Sequence, residues 1–137
     1  MVTRSARQQH APVTVRVPFA ASSVAVARQQ LKLWMKAQGL PREVVEDGRV
    51  VISELVANSV RHAKPLSDGT ILITWGRERN GIRISVTDGG STSRPRTVQA
   101  SASAVSGRGM AIVEALAHEW WSEHTRTRST IHALLAH

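Results

Sequence analysis

Val50 to Ala63 reads V-V-I-S-E-L-V-A-N-S-V-R-H-A. Its apolar residues suit a buried helix, and Glu54 and Asn58, four residues apart, share one face of it. Arg61 and His62 follow one turn later, near that edge. Val51, Leu55 and Val60 fall on another face, suited to packing against a sheet. Such a helix buries one side and turns a carboxylate, an amide and a guanidinium toward a polar pocket. A carboxylate can act as a base. An amide oxygen can ligate a hard cation, and a guanidinium can meet phosphate oxygens. An ordinary amphipathic helix with a solvated polar stripe has the same pattern, so the stretch needs support from the rest of the chain.

Upstream, Val24, Ala27, Leu31, Trp34 and Met35 recur at threes and fours, the core stripe of a helix running to about Gln38. Ser22 or Ser23 can cap it. Gly39 suits its stop, and Pro41 opens a second helix that runs to Ala63 with Gly48 as a weak point. Before both helices, V-T-V-R-V at Val13 to Val17 alternates as a short strand and ends at Pro18. Met1 to Pro12 is polar, basic and aperiodic, and is expected to form a mobile tail ahead of a single domain spanning 13–137.

Downstream, Lys64-Pro65 ends the second helix and Ser67-Asp68-Gly69 marks a turn. Thr70 to Gly76 and Ile82 to Thr87 read as strands, joined at Asn80-Gly81, a pair that tolerates positive φ. Asp88-Gly89-Gly90 follows directly. Ser91 to Ser106 is long for a loop without structure, which marks it as functional or disordered. Gly107-Arg108-Gly109-Met110 leads into a helix over Ala111 to Ala117, with Ile112 and Leu116 inward and Val113 a third candidate. Trp120 to Arg126 and Thr130 to Ala136 form two closing strands around Thr127-Arg128-Ser129. Strands in adjacent pairs with three helices predict an α+β two-layer sandwich: a mostly antiparallel mixed sheet with helices on one face.

Composition narrows the chemistry. The 137 residues include no cysteine, which excludes disulfides, thiolate zinc sites and thiol catalysis and fits a cytoplasmic setting. There is no apolar run long enough to span a bilayer and no apolar signal-peptide core at the start. A net charge of +8 calls for an anionic partner: nucleic acid, an acidic protein or an anionic small molecule. One Phe, no Tyr and four Trp supply few stacking platforms. No helix carries a basic run suited to a groove, so direct nucleic-acid binding is not expected. The first helix exposes Arg28, Gln29, Lys32 and Lys36, a face open to solvent or to an acidic partner.

Three features then ask for one explanation: the Glu54/Asn58 helix, Asp88 with its two glycines at a strand end, and Gly107-x-Gly109 opening a helix. Glycines at a helix start let backbone N–H groups approach phosphate. An acidic residue at a strand end can accept a hydrogen bond from a base amino group. A helix Asn can hold Mg²⁺ against phosphates. Together these parts suit ATP–Mg²⁺.

In these motifs the chain resembles a GHKL-superfamily (Bergerat-fold) ATP-binding domain. Within that group it is most similar to the anti-sigma factor serine/threonine kinase family and its stand-alone actinobacterial-type relatives. E-L-V-A-N-S-V-R-H-A at Glu54 to Ala63 resembles the N box, and D-G-G at Asp88 to Gly90 the first glycine box. G-R-G-M-A-I-V at Gly107 to Val113 resembles the second glycine box, and Thr130 the threonine of the last pocket strand. The resemblance implies Glu54 as general base and Asn58 as Mg²⁺ ligand. It implies Arg61 near the phosphates and His62 lining the pocket. Asp88 would bind the adenine amino group with help from Thr130, and Gly90 would leave room for the base. Gly107, Arg108, Gly109 and Met110 would form the phosphate segment as residues 91–106 close over it. One departure is Thr92, where the family usually has a further glycine. The implied activity is a protein serine/threonine kinase that phosphorylates an antagonist protein and binds a sigma factor or similar regulator. An ATP-binding partner switch with little or no catalysis is the alternative. Homodimers are common in the family. No long phosphoacceptor helix pair accompanies the domain, so autophosphorylation in cis is not expected.

Overall fold

The computed structural model describes residues 11–90 and 108–136. In chain order these form β1 (Val13–Pro18), α1 (Ser23–Ala37), α2 (Arg42–His62), β2 (Thr70–Glu78), β3 (Gly81–Asp88), α3 (Arg108–Leu116), β4 (Glu119–His124) and β5 (Ser129–Ala136). The strands make one five-stranded sheet in the order β1-β2-β3-β5-β4. The sheet expected to be mostly antiparallel is antiparallel at every pairing among the described strands. The expected tail lies almost wholly, and the loop 91–106 entirely, outside the described residues.

Alternation along the strands separates two faces. Cross-strand rows Val15–Ile73–Val86–Ile131 and Val13–Trp75–Ile84–Ala133–Trp120 face the helices. Ile73, Ile84 and Ala133 are fully buried there. Each such Ile contributes roughly 1.5–3 kcal/mol by leaving water. From the helix layer, Ala27, Leu31 and Met35 of α1 and Val51, Ile52, Leu55 and Val56 of α2 meet them. Trp34 and Val60 are only half-buried, and Ile112, expected inward, is 37% exposed while Val113 takes the core position. The second helix packs against α1, α3, β3 and β5, which makes it the central pillar.

Local details depart from the sequence expectations for steric reasons. Ser23 does not cap α1; its Oγ donates to the Pro18 carbonyl at 2.6 Å. Gly39 does stop the helix, with φ +75°. Gly48 leaves α2 unbroken, and a Cβ there would stand 2.7 Å from Met35 Sδ. The absent side chain therefore lets α1 and α2 approach. At the β2–β3 hairpin the positive φ, 47°, belongs to Arg79. Gly81 is already in the strand, where a Cβ would strike the Leu135 carbonyl oxygen of β5. Its smallness serves the ladder, not the turn.

The far face of the sheet is polar. Thr87 and Thr130 hydroxyls lie 2.8 Å apart. His132 Nδ1 lies 2.7 Å from Ser85 Oγ, and its Nε2 lies 2.9 Å from Glu123 Oε1. Trp121 stacks on the imidazole, and the Arg83 guanidinium sits over Trp121. Arg83, Ser85, Thr87, Glu123, Thr130 and His132 line a groove of about 460 Å³. Its floor groups hydrogen-bond one another, as cross-strand pairs of a wetted sheet face do.

Candidate functional site

Asp88 ends β3, and the alternation that turns Thr87 to the far face turns Asp88 toward the helices. It is 6% exposed. Ser59, on the buried side of α2, donates its hydroxyl to Asp88 Oδ2 at 2.5 Å. The Gly90 N–H donates to Oδ1 at 2.8 Å. Burial raises the Asp88 carboxyl above its ordinary value; the bonds from Ser59 and Gly90, and the nearby His124, oppose that rise without cancelling it. The site therefore holds an acceptor already oriented by two donors, with lone pairs to spare.

The glycines after Asp88 have separate physical roles. Gly89 N–H donates to the Lys64 carbonyl at 2.8 Å, and Lys64 N–H donates to the Gly90 carbonyl at 3.0 Å. The strand end is thus laced to the segment leaving α2. A Cβ on Gly89 would strike the Pro65 carbonyl oxygen, so only glycine permits this approach. Gly90 has φ +96°, a left-handed conformation that favours glycine, and open space where its Cβ would stand.

Asn58 precedes Ser59 on α2. Its Oδ1 is buried and has no hydrogen-bond partner among the described residues. A buried amide oxygen left unpaired costs about 1–3 kcal/mol, and an oxygen of this kind fits a hard cation. Glu54 lies one turn before it, half-buried. Arg61 and His62 close the helix on its exposed side. Arg108 and Gly109 open α3, one turn earlier than the sequence suggested, while Gly107 lies outside the described residues. Met110 is a core side chain at 3% exposure, so any contact it makes with a phosphate is through its backbone.

Thr130 falls on the wrong face for the role that the resemblance implied. Its register partner is Thr87, and its hydroxyl points into the far groove. Ser129 is the residue opposite Asp88, and His124 of β4 stands opposite Ser129. In sequence Ser129 reads as the end of the turn Thr127-Arg128-Ser129, whereas in the fold it opens β5. A one-residue slip at a strand boundary exchanges the two faces. The signal available was the S-T pair itself, which holds one hydroxyl for each face.

The structure thus brings together a buried carboxylate at a strand end, a buried amide oxygen without a partner among the described residues on the adjoining helix, and a glycine-laced segment. Residues 17–133 match the histidine kinase-like ATPase domain family, and the chain belongs to it. The serine-protein kinase RsbW of Listeria innocua is 29% identical over 84 residues, 61% of this chain and 54% of that protein. RsbW of Bacillus thuringiensis is 31% identical over 78 residues, 57% of this chain and 49% of that protein. The chain thus spans about half the length of these relatives. Among solved structures, the RsbU and RsbW domains of Rv1364c from Mycobacterium tuberculosis superpose with a TM-score of 0.71 at 22% identity, over 92% of this chain and 32% of that one. A chain of the SiaB–SiaC complex from Pseudomonas aeruginosa gives 0.67 at 12% identity, over 98% and 95%. At these identities the two structures establish the shared fold. Among the described residues no helix is long and apolar enough to cross a membrane, and no three His, Asp or Glu side chains group as a metal cluster.

Proposed function

We propose that this chain is an ATP-dependent protein serine/threonine kinase that phosphorylates an antagonist protein and binds a transcription regulator such as a sigma factor, in the cytoplasm. The observation that carries the reading is the buried Asp88, held by Ser59 of α2 and by Gly90, together with Asn58, next to Ser59 on α2, whose Oδ1 has no partner among the described residues. Asp88 accepts the amino group of adenine, and the open side of Gly90 leaves room for the ring. Asn58 holds Mg²⁺, which supplies charge neutralisation at the phosphates when bound. Glu54 takes the proton of the acceptor hydroxyl. Arg61 contributes positive charge near the phosphates, and His62 lines the edge of the pocket. Arg108, Gly109 and Met110 offer backbone N–H groups at the start of α3, and Gly107, outside the described residues, belongs to the same phosphate-binding segment in this reading. RsbW relatives named serine-protein kinases support the transfer activity. The SiaB–SiaC complex supports protein partnership for this fold.

A partner-switch module that binds ATP with little transfer is favoured by one feature, Thr92 where the first glycine box usually has glycine. One experiment separates the two. ATP binding is titrated with and without Mg²⁺ on the wild type and on Asn58→Ala, and phosphoryl transfer to candidate antagonist proteins is followed in the wild type and in Glu54→Gln. The kinase reading expects Mg²⁺-dependent binding lost in Asn58→Ala, and transfer lost in Glu54→Gln with binding retained. Binding without Glu54-dependent transfer leaves the switch module. No ATP binding removes both.

A further inference from the structure

We propose that His124, acting through the hydroxyl of Ser129, selects the purine that the pocket accepts. The inference rests on the reading of Asp88 as the base-binding carboxylate. Asp88, Ser129 and His124 stand in one cross-strand row on three neighbouring strands. Side chains directly opposite in such a row have Cβ atoms roughly 4.5–5.5 Å apart. The row faces the helices, because the neighbouring row holding Thr87 and Thr130 faces away. His124 Nδ1 lies 2.7 Å from Ser129 Oγ. His124 is also close enough to Asp88 to draw its carboxyl down.

Asp88 alone does not separate the purines. Adenine offers an amino donor at N6 and an acceptor at N1, whereas guanine offers an acceptor at O6 and a donor at N1. An ionised carboxylate accepts from adenine N6–H, and it accepts equally from guanine N1–H. The second group in the row decides. Ser129 has one hydroxyl proton. When His124 Nδ1 takes that proton, Ser129 shows the base only lone pairs, which suit the guanine N2 amino group once guanine N1–H is on Asp88. When His124 Nδ1 carries its own proton, Ser129 Oγ accepts it and turns its hydroxyl proton to the base, which suits adenine N1. The adenine-selective state is the one with Nδ1–H. His124 is a positioning residue: it touches Ser129, and Ser129 touches the base.

The test measures ATP and GTP dissociation constants by calorimetry on the wild type, His124→Phe, His124→Asn, Ser129→Ala and the His124→Phe/Ser129→Ala double variant, each checked for an unchanged melting curve. The wild type is expected to prefer ATP. His124→Phe keeps the ring but not the hydrogen bond, and should shrink the ATP:GTP ratio by about fivefold, the worth of one net hydrogen bond. Asn at this position can place its amide N–H where Nδ1–H stood, and should restore the ratio. In Ser129→Ala the ratio collapses and the added His124→Phe does nothing more. Nitrogen shifts of the His124 ring should report Nδ1–H when ATP saturates the protein. ATP binding with a ratio unmoved by His124→Phe overturns this proposal and leaves the ATP reading intact. Failure of the wild type to bind either nucleotide overturns both.

Discussion

Replacing Asp88 by Asn is expected to stabilise the free protein and to weaken its hold on ATP. Desolvation outweighs the bonds from Ser59 and Gly90, so the ionised carboxylate is a net cost to the fold. Asn occupies nearly the same volume. Its Oδ1 can accept from Gly90 N–H, and its Nδ2 can donate to Ser59 Oγ, so both partners stay satisfied. Each kcal/mol of relief raises Tm by about 3–5 °C in a domain of this size. The sign follows from proton linkage. Below 3.8, the ordinary value, Asp88 is protonated in both states. Between that value and its raised native value, the native state binds more protons than the unfolded state. The contribution of this group to stability therefore falls as pH rises through that window and stays lost at neutral pH. The advantage of Asn should be small in acid, grow across the window and level off. Loss of a charge-assisted hydrogen bond to the adenine amino group costs about 1.5–3 kcal/mol, or about 10- to 150-fold in Kd. Thermal melts from pH 4 to pH 8 and ATP calorimetry measure both. A lower Tm for Asn at pH 7, or a stability difference that does not change with pH, refutes the reasoning.

Ser59→Ala removes a donor to Asp88, so the carboxyl should titrate still higher and stability should drop by about 1.5–3 kcal/mol above that titration and by less below it; carbon NMR of the carboxyl with urea melts at two pH values reads this. Gly48→Ala gains about 1 kcal/mol of helix propensity, but its Cβ meets Met35 Sδ at 2.7 Å and Cε at 2.9 Å. Overpacking of that kind costs about 1–3 kcal/mol, so a net loss is expected. In a Met35→Ala background the same change should become stabilising; a loss of the same size there would show that the contact is not its cause. Gly81→Ala should cost about 3 kcal/mol, because the Leu135 carbonyl it meets is held in the β3–β5 ladder and cannot move aside; a urea midpoint within error of the wild type would contradict it.

Periodicity and punctuation were enough for the elements. Every described helix and strand falls within a few residues of where apolar spacing, Gly39, Lys64-Pro65 and the hairpin residues put it. These signals are local, because the backbone period is written into neighbours along the chain. The candidate residues Glu54, Asn58 and Asp88 were legible for the same reason: they stand at fixed offsets on one helix and at one strand end. Ile112 does not face inward as its spacing suggests, because which side of a one-turn-longer helix faces the core depends on what packs against it.

Everything that required two distant segments to meet was decided by the tertiary structure. Gly48, Gly81 and Gly89 read in sequence as helix weakness, turn and spacer. In the fold each is the place where another backbone or a core side chain comes too close for a Cβ. Ser59 reads as one more small residue on a helix, yet it holds the Asp88 carboxylate from 29 positions away. Ser129 and Thr130 cannot be told apart by spacing. Only the pairing of β5 with β3 puts Ser129 on the face of Asp88 and the Thr130 hydroxyl in the far groove. A linear pattern states which side chains share a face. The register between strands, set by the closing of the whole sheet, determines which residues share the face of Asp88 and which line the far groove.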